Sequence, residues 1–265
     1  MNGEQLPWAL ESTSQMGKDM AGRIPAFFLD FDGTLAPIES HPDLAALSRR
    51  ARLVLDGLSG SHLVCIVSGR DLDDLRRRTA LPGLFYAGDH GCRISGPPGS
   101  GVEYEVGGAA RDTLAAAAAD LRSLLDRTEG VVVQAKDLSL SVHYRLTPAA
   151  AVPEVADAVR EVIERYPSLR QTEGRLVFEF HPGDEWDKGR AMNWLIERLG
   201  HSRTDLCPLC LGDDLTDEDM FRAARGWGIP VAVGPSHGPT CADYRLRGPD
   251  EVIEFLAAFA SPRGE

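Results

Sequence analysis

The chain has 265 residues and a formal net charge of −12, with 40 acidic against 28 basic side chains. That length supports one large domain or two smaller ones around a full core, and the acidic balance argues against nucleic acid or an anionic membrane surface as partner. No apolar stretch reaches transmembrane length and residues 1–22 hold no apolar signal-peptide segment, which points to the cytoplasm.

Residues 1–22 form an N-terminal extension ahead of the first expected strand. The apolar run Ala26-Phe27-Phe28-Leu29 reads as a buried strand ending in Asp30-Phe31-Asp32-Gly33-Thr34-Leu35. Two carboxylates alternating on a tight turn suit phosphoryl transfer to a carboxylate. Asp30 would be the nucleophile, Asp32 would manage the leaving-group proton, and Gly33 would let backbone donors approach a phosphate. Taken alone, the stretch also reads as a strand followed by an Asp-Gly turn. Leu44, Leu47, Ala51, Val54 and Leu58 recur three and four apart and predict a helix, with Gly57 and Gly60 marking its stop. Leu63-Val64-Cys65-Ile66-Val67 is the next expected strand. It ends in Ser68-Gly69-Arg70, a hydroxyl and a guanidinium that could both hold phosphate oxygens.

The middle third changes pattern. A helix is expected over residues 109–127, strands over 131–135 and 138–145, a second helix from 147 to 166, and strands over 169–172 and 176–180. This repeat of helix and hairpin predicts a small α+β domain with helices on one face, inserted over residues 109–182 between core segments 23–108 and 183–265. Gly107-Gly108 and Pro182-Gly183 are candidate hinges. Such a lid could exclude competing acceptors and supply specificity residues. Lys136, Ser141, His143, Arg145 and Glu179 lie in or beside its strands, with Gly88-Asp89-His90-Gly91 at the edge of the core. Alternate strand positions can also simply face solvent, and His143-Tyr144-Arg145 can be a structural cluster.

The parallel pattern then resumes. Trp186-Asp187-Lys188-Gly189 opens an amphipathic helix, so Lys188 sits near an N-terminus whose dipole favours an anion. The run Gly212-Asp213-Asp214-Leu215-Thr216-Asp217-Glu218-Asp219 follows another strand, 206–211, and is a Mg²⁺ site by composition. A strand at 229–233 and a helix at 249–259 close the chain. Taken singly, Ser68 could only cap the helix starting near Asp71, Lys188 could be solvated, and Asp217 to Asp219 could be first-turn acids. The five cysteines read as reduced structural thiols; the Cys207 and Cys210 spacing leaves a reversible disulfide open and lacks the partners of a zinc site.

The ordered set of Asp30, Ser68, Lys188 and the acid pair resembles the haloacid-dehalogenase (HAD) superfamily of phosphatases over nearly the whole chain. Together with Gly88-Asp89-His90-Gly91, Val142-His143-Tyr144-Arg145, Glu179-Phe180-His181-Pro182 and Gly212-Asp213-Asp214, it is similar to the trehalose-6-phosphate phosphatase family. The resemblance implies an α/β, Rossmann-like parallel core with the inserted cap, and hydrolysis of a sugar phosphate through an aspartyl phosphate. It implies Mg²⁺ on Asp30, Asp213 and the Asp32 carbonyl, with Asp214 and Asp217 behind these ligands. Asp32 would be the acid/base, and Ser68 and Lys188 would hold phosphate. Substrate contacts would come from Gly69, Arg70, His90, Gly91, Lys136, His143, Arg145 and Glu179. The family often carries an acid two residues before the lid lysine, where this chain has Gln134. That leaves open trehalose 6-phosphate, another sugar phosphate, or a pseudo-disaccharide phosphate such as an aminocyclitol antibiotic intermediate. A phosphomutase and a non-catalytic sugar-phosphate sensor are the rival readings.

Overall fold

The computed structural model describes residues 6–39, 41–174, 176–183, 186–235 and 238–260. The chain divides into two units, Met1–Tyr104 with Trp186–Glu265, and the insertion Glu105–Glu185. Before the insertion come α1 (Thr13–Met20), β1 (Ile24–Leu29), α2 (Arg49–Ser59), β2 (Val64–Val67), α3 (Leu72–Thr79), β3 (Phe85–Gly88), β4 (Arg93–Ser95) and β5 (Glu103–Glu105). The insertion holds α4 (Arg111–Leu124), β6 (Val132–Ala135), β7 (Leu140–His143), α5 (Val152–Arg165), β8 (Leu169–Gly174) and β9 (Val177–Pro182). After it follow α6 (Lys188–Arg198), β10 (Leu206–Gly212), α7 (Glu218–Ala224), β11 (Ile229–Val233), β12 (Tyr244–Leu246) and α8 (Pro249–Ala257).

The core sheet has the order β12-β11-β10-β1-β2-β3-β4-β5 and is parallel from β12 to β3. Its central strands are apolar at every position because both faces are covered. Phe27 and Leu29 of β1 pack with α2 and α8, whereas Ala26 and Phe28 pack with α6 and α7. The antiparallel addition of β4 to β3 was not foreseen; the two last strands on that side are three residues each, too short to show a period. Residues expected to form a mere extension contribute to this core, since Ala9 and Met16 are fully buried in it.

One helix boundary is corrected. Leu44 lies in a separate 3₁₀ turn and is 59% exposed, and Leu47 precedes α2. The Ser48 hydroxyl caps α2 by accepting from the Ala51 N–H at 3.1 Å, so capping chemistry set the start that apolar spacing had placed too early. Gly57 lies inside α2 rather than ending it.

In the inserted unit, an antiparallel sheet runs in the order β6-β7-β9-β8. Leu140, Val142, Phe178 and Phe180 turn to one face, where α4 and α5 bury them. The opposite face carries an aligned polar row, Gln134 on β6, Ser141 on β7, Glu179 on β9 and Thr172 on β8. Among the described residues, no helix is long and apolar enough to cross a membrane. Cys207 and Cys210 are both free thiols of β10 and pack on opposite sides of the core sheet, so the strand itself holds them apart.

Candidate active site

Parallel pairing brings the acids together. β1 and β10 are neighbours, with Leu29 opposite Leu211, so Asp30 and Asp213 leave adjacent strand ends on the same edge of the sheet. Asp30 N–H still donates to Leu211 C=O at 2.9 Å. Gly33 is needed twice over: its φ of 83° is left-handed, and a Cβ there would lie 2.1 Å from Asp213 Oδ2.

Lys188 is the first residue of α6, whose cap is Asp187, accepting from the Arg190 N–H at 2.8 Å. It is buried, not solvated. Its ammonium donates to Asp30 Oδ1 at 2.8 Å and to Asp217 Oδ1 at 2.7 Å. Asp217 is wholly buried and also accepts from the Asp214 N–H at 3.0 Å, so it is more than a first-turn acid. Burial pulls the Lys188 proton affinity down, but the Asp217 and Asp30 carboxylates outweigh it and hold the group above the usual lysine range. Asp30 is pushed up by burial, against the pull of Lys188 and with the Asp217 and Asp213 charges adding to the rise. Asp213 is pushed up to about 7 by burial and by its Asp217 and Asp214 neighbours.

One ammonium therefore faces three carboxylates, leaving two negative charges uncompensated when all are ionised. Asp30, Asp213 and Asp217 each bring one oxygen to within 4.8 Å of the others. Asp213 Oδ1 is buried and has no hydrogen-bond partner among the described residues, which is costly for a carboxylate unless a cation takes it up. A hard-oxygen donor set with this charge fits a divalent cation such as Mg²⁺.

On the other side of β1, Ser68 follows β2. Its hydroxyl accepts from the Arg70 N–H at 3.2 Å, while Asp71 rather than Ser68 caps α3. The Ser68 and Arg70 carbonyls accept from the His90 and Asp89 N–H groups at 3.0 and 2.7 Å, tying the two turns together. Asp89 and His90 are both left-handed, with φ of 49° and 56°, and the His90 ring lies so close over Gly69 that a Cβ there would sit 2.4 Å from Nε2. Gly91, also left-handed, accepts from the Trp186 indole N–H at 2.7 Å through its carbonyl.

The Arg70 guanidinium, expected on substrate, is engaged by two carboxylates. Nε and Nη2 donate to Asp32 Oδ2 and Oδ1 at 2.6 and 2.7 Å, and Nη1 donates to Asp74 Oδ2 at 3.0 Å. Sequence reasoning missed Asp74 and the second Lys188 partnership of Asp217. The only local signal for Asp74 was its spacing of four from Arg70.

Within the inserted unit, Lys136 follows the end of β6, where its N–H donates to the Ser139 carbonyl at 2.8 Å, and Glu179 lies on the same sheet face as Gln134. Ser141 Oγ donates to Glu179 Oε1 at 3.2 Å, and His143 Nε2 pairs with Gln134 Oε1 at 3.1 Å. Tyr144 stacks on Phe178 with ring centroids 5.0 Å apart, a structural contact. Arg145 follows the end of β7 and is exposed.

The trehalose-phosphatase family model matches residues 28–250. A trehalose-phosphate phosphatase of Mycobacterium tuberculosis is 40% identical over 260 residues, covering 97% of this chain and 66% of that protein. The chain thus spans just under two thirds of the length of that relative. The C-terminal domain of a Candida albicans trehalose-6-phosphate phosphatase superposes with a TM-score of 0.81 at 24% identity, over 96% of this chain and 98% of that one. The C-terminal domain of a Candida albicans trehalose synthase regulatory protein has a TM-score of 0.71 at 12% identity, over 96% and 100%. The two structural likenesses show the fold: a HAD-like parallel core with an antiparallel insertion.

Proposed function

The chain belongs to the trehalose-phosphatase family, and from that premise we propose that it is a Mg²⁺-dependent phosphomonoesterase acting on trehalose 6-phosphate or a closely related disaccharide or pseudo-disaccharide phosphate. The observation that carries this reading is the buried Lys188 bridging Asp30 and Asp217 beside the partnerless Asp213 oxygen. A sensor would need neither a nucleophile nor an acid/base two residues apart after β1.

In this reading Asp30 attacks phosphorus. As its oxygen bonds to phosphorus, the bond to the sugar oxygen breaks and Asp32 gives that oxygen a proton. A water then attacks phosphorus, Asp32 takes the water's proton, and Asp30 and inorganic phosphate are released. Lys188, the Ser68 hydroxyl and the Gly69 backbone hold phosphate oxygens. Asp30, Asp213 and the Asp32 carbonyl would hold a Mg²⁺, with Asp214 and Asp217 behind them, and the ion would supply positive charge for the transferring phosphoryl group. Lys136 and Glu179 bind sugar hydroxyls, and His90, Gly91, His143 and Arg145 complete the substrate contacts.

The test is phosphate release from trehalose 6-phosphate, sucrose 6-phosphate, glucose 6-phosphate and pseudo-disaccharide phosphates, with Mg²⁺ and after chelation. A disaccharide or pseudo-disaccharide phosphate should be the best substrate, and chelation should stop release. Binding without release would identify a sensor. Transfer of phosphate to another sugar hydroxyl in the presence of a bisphosphate activator would identify a mutase.

A further inference from the structure

We propose that Arg70 is a positioning residue that sets the place and orientation of the Asp32 carboxylate, rather than a ligand of the substrate phosphate. The inference rests on the phosphatase reading above, in which Asp32 handles the leaving-group proton. Asp32 sits on a turn and its side chain is 39% exposed, so packing alone does not fix it. Both hydrogen bonds that reach its carboxylate among the described residues come from the Arg70 fork, at 2.6 and 2.7 Å. A two-point pair of this kind fixes the plane of a carboxylate as well as its distance.

Arg70 is itself held from several directions. Its third nitrogen bonds Asp74, and Asp74 is pinned in turn by Arg78 Nε at 2.7 Å and Arg77 Nη2 at 3.2 Å. The guanidinium carbon lies 5.4 Å from the centroid of the Phe31 ring, which is fully buried between the two catalytic acids in sequence. The Arg70 backbone is tied to Ser68 and Asp89. A run of alternating charges from α3 thus ends on Asp32. A general acid must lie within hydrogen-bond reach of the oxygen it protonates, and a misplacement of about 1 Å can cost about 10²-fold in rate.

The experiment measures kcat/KM for a series of small aryl phosphates whose leaving phenols run from strongly to weakly acidic. Such esters make no distal sugar contact, and only the poor leaving groups need a proton. Arg70→Met should steepen the dependence on leaving-group acidity, losing about 10²-fold on the weakest phenols and only a few-fold on the most acidic. Arg70→Lys keeps the charge without the fork and should give an intermediate slope. It also serves if Arg70→Met does not fold. Asp32→Asn should set the steepest slope, and adding Arg70→Met to it should steepen nothing further.

A uniform loss across the series in both Arg70 variants, with weaker inhibition by inorganic phosphate, would make Arg70 a direct phosphate ligand and overturn the proposal. An Asp32→Asn slope equal to that of the unaltered enzyme would instead overturn the acid/base assignment of Asp32, and the positioning role with it.

Discussion

In the core sheet, Phe27 and Phe28 point to opposite faces and both are fully buried; in the inserted sheet, Phe178 and Phe180 share one face under helices while Glu179 between them lies on the other. A strand covered on both sides has no face left for a polar side chain, so its chemistry gathers where the strand ends: Asp30 after β1, Ser68 after β2, Asp213 after β10. A sheet with apolar packing on one face only can carry polar groups along the other, as Gln134, Ser141, Glu179 and Thr172 do in one row, Ser141 and Glu179 buried and Gln134 and Thr172 half-buried. Strand ends fix a few groups against one another, and a polar sheet face offers spaced donors and acceptors. In the proposed reading, reaction chemistry belongs to the first arrangement and recognition to the second.

That division is open to attack at four points. The largest effect is expected at Asp30. Asp30→Asn should leave the fold intact and lower kcat by about 10³-fold or more on every substrate, because the nucleophile is lost. Near-normal turnover would remove the strand end from the chemistry altogether.

Next comes Asp213. Chelation should abolish phosphate release and Mg²⁺ restore it in the parent, while Asp213→Ala should lose about 10²-fold or more and respond poorly to added Mg²⁺. A variant with the parent's Mg²⁺ titration curve would take Asp213 out of the metal site.

On the inserted sheet, Lys136→Ala or Glu179→Ala should cut kcat/KM for the disaccharide phosphate by about 10- to 100-fold, in kcat as well as KM. Hydrolysis of p-nitrophenyl phosphate should change by no more than about threefold, since it makes no sugar contact. Equal losses on both substrates would erase the contrast between the two sheets.

Smallest is Gln134→Glu, which restores the acid often found at this place in the family. The ratio of kcat/KM for trehalose 6-phosphate over a pseudo-disaccharide phosphate should rise a few-fold, through a stronger acceptor on the same row. An unchanged ratio would show that Gln134 serves only its pairing with His143.

Most of the core was legible because its strands are continuous apolar runs that stop abruptly at charged or hydroxyl residues. Asp30, Ser68 and Asp213 could be singled out since each stands at such a stop, and Lys188 since it opens an amphipathic helix. On the inserted sheet Ser141 and Glu179 stood out as polar residues between apolar neighbours, whereas Thr172 joins their row only through the β8–β9 register. The start of α2 was misjudged where two local signals competed, the spacing of Leu44 and Leu47 against the cap at Ser48. What spacing could not reveal was who pairs with whom. Asp217 meets Lys188 across 29 positions and Arg70 meets Asp32 across 38, contacts that exist only once β1, β2 and β10 lie side by side.

That side-by-side placement also carries a consequence for biosynthesis. β1 is central in the core sheet, yet its partner β10 leaves the ribosome about 180 residues later, roughly 10 to 35 s at ordinary elongation rates. Throughout that wait one hydrogen-bonding edge of an apolar strand has no neighbour, an invitation to aggregation or chaperone capture. The insertion is a single contiguous segment whose two hairpins join through β7 and β9, so all its pairing partners have emerged before β10 does. Limited proteolysis of stalled nascent chains should find a protected fragment spanning the insertion before β10 has emerged, with the N-terminal segment still open to cleavage. Equal protection of both at that length would mean that the core does not wait for its second half.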